Sequence, residues 1–137
     1  MSEMKAILQT LLAEERMLHQ AYTTYLPALH PALLREKIQG WVGEGWKHIE
    51  ALEQAIEKRG AAPDRTAAPA PAVPASQETH ALLDFFYQRE ERLYYRYQEA
   101  MKRAEEGWLR SLLFSHLHDH KRYLAGIQHL YAEFLYY

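Results

Sequence analysis

Two glutamates, Glu15 and Glu90, stand on the apolar faces of predicted helices, at positions where leucine is the expected residue. When the sequence is compared with itself at an offset of 75 residues, the two acids align and so do the residues around them: Leu8 with Leu83, Leu11 with Phe86, Leu18 with Leu93 and Tyr22 with Tyr97. A carboxylate on a buried apolar face is costly unless another group compensates its charge. The repeat therefore predicts a buried partner for each glutamate.

The partners that the sequence offers are two histidines, His48 and His120, on the apolar faces of the second and fourth predicted helices. Carboxylate oxygen and imidazole nitrogen are ligands for zinc, iron and manganese, and a divalent cation would neutralise the buried acids. Glu44 and His116 each precede one of these histidines by four residues and share its helix face. The candidate metal ligands are therefore Glu15, His48, Glu90, His120, Glu44 and His116.

The same residues also have a metal-free interpretation. A histidine at a core position is commonly hydrogen-bonded to a carboxylate or a tyrosine and serves only the fold. The protein would then be a helical scaffold, or a dimerisation or interaction module, in which the polar layer sets the register between helices. The structural pairs would be Glu15–His48 and Glu90–His120, helped by Tyr22 and Tyr97.

Helical periodicity covers almost the whole chain of 137 residues and predicts an all-α protein. Pro27 ends the first helix and Pro31 suits the first turn of the second, because proline lacks the backbone N–H that a helix interior needs. A short break at Glu106–Gly107 separates the last two helices. We expect one domain over residues 1–137, with a helical hairpin at 1–60, a linker at 61–76 and a second hairpin at 77–137.

The linker contains four of the six prolines, a composition that predicts a semi-extended Pro/Ala segment. Two hairpins joined by one long connection predict an antiparallel four-helix bundle with a single crossover. We expect both hairpin turns at the same end of this bundle. Counted from these turns, the positions of the two glutamates and two histidines along the bundle then differ by at most about six residues, or about 9 Å of helical rise.

Three glycines, Gly40, Gly43 and Gly45, fall inside the second predicted helix. Glycine weakens a helix interior, so their presence predicts a close helix approach or a kink. Among the other polar residues, we expect His19 on a solvated flank, and His118 and Asp119 pointing outward from the last helix.

Composition excludes several classes of function. Without cysteine there is no disulfide, thiolate zinc site, iron–sulfur cluster or cysteine nucleophile. A net charge of −2 argues against nucleic acid or an anionic membrane as the main partner. The N-terminal segment becomes charged too early for a signal peptide, and no apolar run is long enough to span a bilayer, so we expect a cytoplasmic protein. The aromatic C-terminal segment HLYAEFLYY is expected to extend the core and to make an end-cap or homodimer contact.

The motifs resemble those of the ferritin-like superfamily, especially its rubrerythrin-like branch. Helices 1 and 3 of that family carry a metal-binding Glu seven residues before an aromatic residue, as ERMLHQAY from Glu15 and EERLYYRY from Glu90 do here. The sequences HIEAL from His48 and HKRYL from His120 are similar to its Glu-x-x-His segments. The resemblance implies a four-helix bundle that binds iron. The carboxylate and imidazole ligands leave zinc and manganese as alternatives. The resemblance also implies a di-metal-type oxidoreductase, peroxidase- or ferroxidase-like, that acts on dioxygen or peroxide.

The chain departs from this family where the bridging carboxylates should lie, since those positions are Gly45 and Leu117. Glu44 and His116, each one residue earlier, would give a site richer in histidine. A looser resemblance is to DinB-like four-helix proteins, whose metal is held by a mid-chain His and a late His-x-x-x-His. His48, His116 and His120 match that pattern.

Overall fold

The computed structural model describes residues 2–64 and 73–135, which form α-helices and short connections. No β-strand occurs in these two segments, so the predicted all-α class is confirmed. A 3₁₀ turn at Leu26–Ala28 follows the first helix, and a π-helical turn at Tyr131–Leu135 follows the last. The helices are α1 (Ser2–Tyr25), α2 (Ala32–Val42), α3 (Glu44–Lys58), α4 (Thr79–Arg103) and α5 (Gly107–Leu130).

The apolar stripes predicted from the sequence are the buried faces of these helices. On α1, Leu8, Leu11 and Leu18 are buried, and α4 buries the aligned residues of the repeat. Burial of such side chains contributes about 1.5–3 kcal/mol each and is the main force that assembles the helices. The core-facing residues of α5 recur at helical spacing and include both histidines predicted to face inward: Leu109, Leu113, His116, His120, Tyr123, Ile127 and Leu130.

The second predicted helix is divided in two at Gly43, which lies between α2 and α3. Gly45, two residues later, packs so tightly against α1 that an added Cβ would lie 2.9 Å from Nδ1 of His19. Gly40 and Gly43 have open space where a Cβ would stand. The close approach that the glycines predicted is therefore present at Gly45, next to the interruption of the helix at Gly43.

Contacts at the helix ends show which connections lie together. The backbone N–H of His30, before α2, donates to Oγ1 of Thr79, the first residue of α4. At the other end of α1, Glu3 pairs with Arg103, at the end of α4. The expectation that both hairpin turns share one end is wrong. Arg59, just after α3, pairs with Glu106, just before α5, so α3 ends beside the second turn. The chain that follows α3 therefore reaches the opposite end of the helices, where α4 begins beside the first turn.

Part of the predicted linker, residues 65–72, lies outside the described residues, as do the last two residues of the aromatic C-terminus. Within the described part of that terminus, Leu130 is buried and Phe134 packs against the core. Among the described helices, none combines the length and the apolar character needed to cross a bilayer.

Candidate metal centre

Four helices each contribute one polar side chain to a single buried layer. Glu15 comes from α1, His48 from α3, Glu90 from α4 and His120 from α5, and each residue is only 1–3% exposed. The inward direction predicted for all four residues is confirmed. On the core faces of these helices the layer is bounded by buried apolar residues of the hydrophobic core, among them Leu11, Leu18, Leu52, Phe86 and Leu93.

Three of these residues bring ligand atoms together. One ligand atom each from Glu15, His48 and His120 lie within 4.8 Å of one another. Oε2 of Glu15 is 2.7 Å from Nε2 of His120 and 3.4 Å from Nδ1 of His48. Nδ1 of His48 is buried, and its 3.4 Å contact with Oε2 of Glu15 is longer than an ordinary hydrogen bond, so this nitrogen is not well satisfied. A buried polar atom that is poorly satisfied is costly, so this nitrogen fits a site in which an ion supplies the missing contact.

Glu90 lies on the opposite side of the His120 ring from Glu15. Oε1 of Glu90 is 2.5 Å from Nδ1 of His120, and its Oε2 accepts a 2.6 Å hydrogen bond from the Tyr22 hydroxyl. The same hydroxyl accepts a 3.3 Å hydrogen bond from Nε1 of Trp41. Both Glu90 oxygens are therefore engaged by side chains of the layer and its surroundings.

Asp119 plays a comparable part behind His48. Its Oδ2 is 2.8 Å from Nε2 of His48, and its Oδ1 accepts a 3.1 Å hydrogen bond from Arg122. The expectation that Asp119 points to solvent is wrong, since its side chain is 29% exposed and faces α3. A residue just before an inward one flanks the core face, and the sequence does not show which helix lies on that side.

Tyr97 connects Glu15 with His116. The Tyr97 hydroxyl donates a 2.6 Å hydrogen bond to Oε2 of Glu15 and lies 2.9 Å from Nδ1 of His116. A hydroxyl has a single proton, so Tyr97 accepts its second hydrogen bond from Nδ1–H of His116. His116 is thereby a buried donor within the layer.

Neither Glu44 nor His116 belongs to the group of three ligand residues. Oε1 of Glu44 accepts hydrogen bonds from the Tyr123 hydroxyl at 2.5 Å and from Arg122 at 2.7 Å. The ring of His116 lies 4.3 Å from that of His48, but its Nδ1 is directed at Tyr97. The structure thus brings Glu15, rather than His116, together with the other two histidines.

The charges of the layer are strongly coupled. Burial lowers the pKa of His120, but the carboxylates of Glu15 and Glu90 outweigh it and raise that pKa to about 10. Burial raises the pKa of Glu15, yet His120 and His48 hold it well below its usual value. Without a metal, His120 is therefore an imidazolium between two carboxylates at neutral pH. Burial and the nearby His48 lower the pKa of His116 to about 3, so His116 is neutral.

A small cavity adjoins the three ligand residues. Its volume is about 20 Å³, and it is also lined by Glu90 and, beside the α2–α3 break, by His19, Trp41 and Gly45. This is room for a single water molecule or ion. A larger groove on the surface between α1 and α4 has none of the layer's residues in its lining.

Comparison with known proteins adds no family to this geometry. No family model matches the chain, and neither a curated protein nor a solved structure matches it.

Proposed function

We propose that the protein binds a divalent transition metal ion through Glu15, His48 and His120. The observation that carries this proposal is the convergence of one buried ligand atom from each residue within 4.8 Å, with the His48 nitrogen Nδ1 in only a long, 3.4 Å contact with Glu15. Imidazole and carboxylate side chains are normal ligands for such ions. An ion here would contact all three residues and neutralise the negative charge of Glu15.

We also propose that the helices form an antiparallel four-helix bundle of the ferritin-like type, with α2 and α3 together as its second helix. Contacts between neighbouring helices support this arrangement. Between α1 and α4, Glu15 meets Tyr97 whereas the later Tyr22 meets the earlier Glu90. Between α3 and α5, Glu44 meets Tyr123 and the later His48 meets the earlier Asp119. Each pair of helices thus runs in opposite directions.

Iron is the metal that this proposal favours, with manganese next. Two histidines and one carboxylate are a ligand set typical of non-heme iron(II), and the ferritin-like motifs of α1 and α4 support the same metal. Bound iron would supply redox chemistry with dioxygen or peroxide, as in a peroxidase- or ferroxidase-like oxidoreductase. The chain's own contribution is to hold the ligands in place and to keep bulk water out, since the layer is buried.

A second function, a metal-free scaffold, is favoured by one specific observation. The pKa of His120 is raised to about 10 by Glu15 and Glu90, so a proton already balances part of the buried charge. In that case the layer fixes the register between helices and carries no cofactor.

Metal analysis separates the two functions. The purified protein is reconstituted anaerobically with iron(II), manganese(II) or zinc(II), passed through a desalting column and assayed for metal. We expect stoichiometric metal in the wild type and in Glu91→Ala, the neighbour of Glu90, and none in Glu15→Ala. A wild type that folds normally and retains no metal would exclude the metal-binding function and support the scaffold.

A further inference from the structure

We infer that the metal site is mononuclear, and that Glu90 and Asp119 are positioning residues that orient its two histidine ligands. The inference rests on the proposed metal-binding function and makes it more specific. It departs from the di-metal site that the sequence resemblance implies, in which Glu90 would itself be a ligand.

The orientation of His120 decides the role of Glu90. The two nitrogens of an imidazole ring point away from each other, so a group bonded to one cannot share an ion bonded to the other. Nε2 of His120 faces Glu15, and Nδ1 faces Glu90 at 2.5 Å. Glu90 therefore accepts the proton on Nδ1, which fixes the ring and leaves Nε2 directed at the ion.

The second oxygen of Glu90 is also occupied. Oε2 accepts the hydrogen bond from Tyr22, whose ring stacks on Phe86 with centroids 4.3 Å apart. Turning Glu90 away from His120 so that it faced the ion would leave both His120 Nδ1–H and the Tyr22 hydroxyl without their acceptor in the core. That loss is costly for buried donors, which makes Glu90 a fixed acceptor.

Asp119 does for His48 what Glu90 does for His120. It engages Nε2 of His48 at 2.8 Å, so Nδ1, the buried nitrogen that is not well satisfied, is directed at Glu15. Arg122 donates to the other oxygen of Asp119 and also to Glu44, which holds the carboxylate in place. Each histidine ligand thus has one nitrogen toward the ion and one toward an acid, the arrangement common in protein metal sites.

The space and the ligand set allow one ion. The cavity beside the ligands has a volume of about 20 Å³, the size of a single water molecule or ion. Within residues 2–64 and 73–135, the three-residue group at Glu15 is the one cluster of histidine and acidic ligand atoms close enough to share a metal.

Titration with cobalt(II), whose visible absorption reports its ligands, tests this assignment. We expect one cobalt per chain in the wild type, in Glu90→Gln, in Asp119→Asn and in the control Glu91→Gln. Removing either acid should weaken binding about 10–100-fold, the usual effect of losing a carboxylate behind a histidine ligand. Glu91→Gln should bind as the wild type does. Unfolding of the metal-free variants, followed by circular dichroism, separates lost positioning from lost fold.

Two ions per wild-type chain, with one lost in Glu90→Gln, would overturn the mononuclear assignment and make Glu90 a ligand. Unchanged affinity in Glu90→Gln and Asp119→Asn would overturn the positioning roles. A wild type that binds no cobalt would instead overturn the proposed function itself. Because the Asp119 side chain is partly exposed, we expect Asp119→Asn to fold, so this variant can still test the positioning role if Glu90→Gln does not fold.

Discussion

Tyr97 on α4 donates a hydrogen bond of 2.6 Å to Glu15 on α1. In the opposite direction, Tyr22 on α1 donates a hydrogen bond, also 2.6 Å long, to Glu90 on α4. The sequence repeat spaces each tyrosine seven residues after its own glutamate, but each tyrosine serves the glutamate of the other half of the chain. The two halves of the repeat therefore complete each other in the core.

The hydrogen bonds of Tyr97 should contribute measurably to stability. In Tyr97→Phe, Glu15 loses a donor and Nδ1–H of His116 loses its acceptor, although the aromatic ring is kept. A buried group left without its partner costs about 1–3 kcal/mol, which is the destabilisation we expect for the metal-free protein in urea denaturation. Tyr95→Phe, at a side chain that is 56% exposed, is the matched control and should change little. Equal stability of the two variants would contradict the role given to Tyr97.

The stability of the metal-free protein should fall as the pH rises above neutral. The pKa of His120 is about 10 in the folded protein and 6.5 as its ordinary value. Because the folded pKa is the higher one, the stabilisation is fully present below about pH 6.5 and is lost as the pH rises through about 10. The loss is on the order of a few kcal/mol.

Urea denaturation at several pH values measures this dependence. Glu90→Gln is the informative comparison, since it removes one of the two charges that raise the pKa of His120 and should flatten the decline. A wild type whose stability rises between neutral pH and pH ~10 would show that His120 is not protonated in the core.

Metal affinity should depend on pH in the opposite sense. An ion can bind Nε2 of His120 only after that nitrogen loses its proton, and the pKa of His120 is about 10 in the metal-free protein. As long as the pH is below that pKa, the apparent affinity should therefore increase about ten-fold for each unit by which the pH rises. Competition with a chelator of known affinity at two pH values measures the slope. An affinity that does not change with pH would mean that His120 is not a ligand.

Gly126 and Gly40 should respond oppositely to alanine. A Cβ on Gly126 would lie 2.8 Å from the Trp41 ring, which stacks on Tyr123 and donates to Tyr22. We expect Gly126→Ala to lower the free energy of unfolding, measured by thermal denaturation, by about 1–3 kcal/mol, because the added methyl group would overlap the Trp41 ring. Gly40, in the interior of α2, has open space, so Gly40→Ala should stabilise by up to about 1 kcal/mol. Stabilisation by both substitutions would show that Trp41 is not fixed against α5.

The buried layer could be predicted from the sequence because each of its members interrupts an apolar stripe. Glu15, Glu90, His48 and His120 lie at positions of helical periodicity where a polar side chain must face the core, and all four are buried. Periodicity also placed the helices and the breaks at Pro27 and Glu106. These are local properties, set by neighbouring residues along the chain.

Relations between helices could not be predicted in the same way. Asp119 is adjacent to His120 in sequence but bonds to His48, because α3 lies beside that flank of α5. The crossing of Tyr22 to Glu90 and of Tyr97 to Glu15 depends on the direction in which α1 and α4 pass each other. The wrong placement of the two hairpin turns has the same origin, since the linker's composition does not show which ends it connects.

Anomalous diffraction from crystals grown with manganese(II) or cobalt(II) tests the central claim most directly. We predict a single strong anomalous peak in the core, in contact with Oε2 of Glu15, Nδ1 of His48 and Nε2 of His120, with Glu90 and Asp119 behind the two rings. The peak should be absent from crystals of Glu15→Ala. A wild-type core without a peak, in crystals grown with an excess of the metal, would contradict the claim that this layer binds a metal.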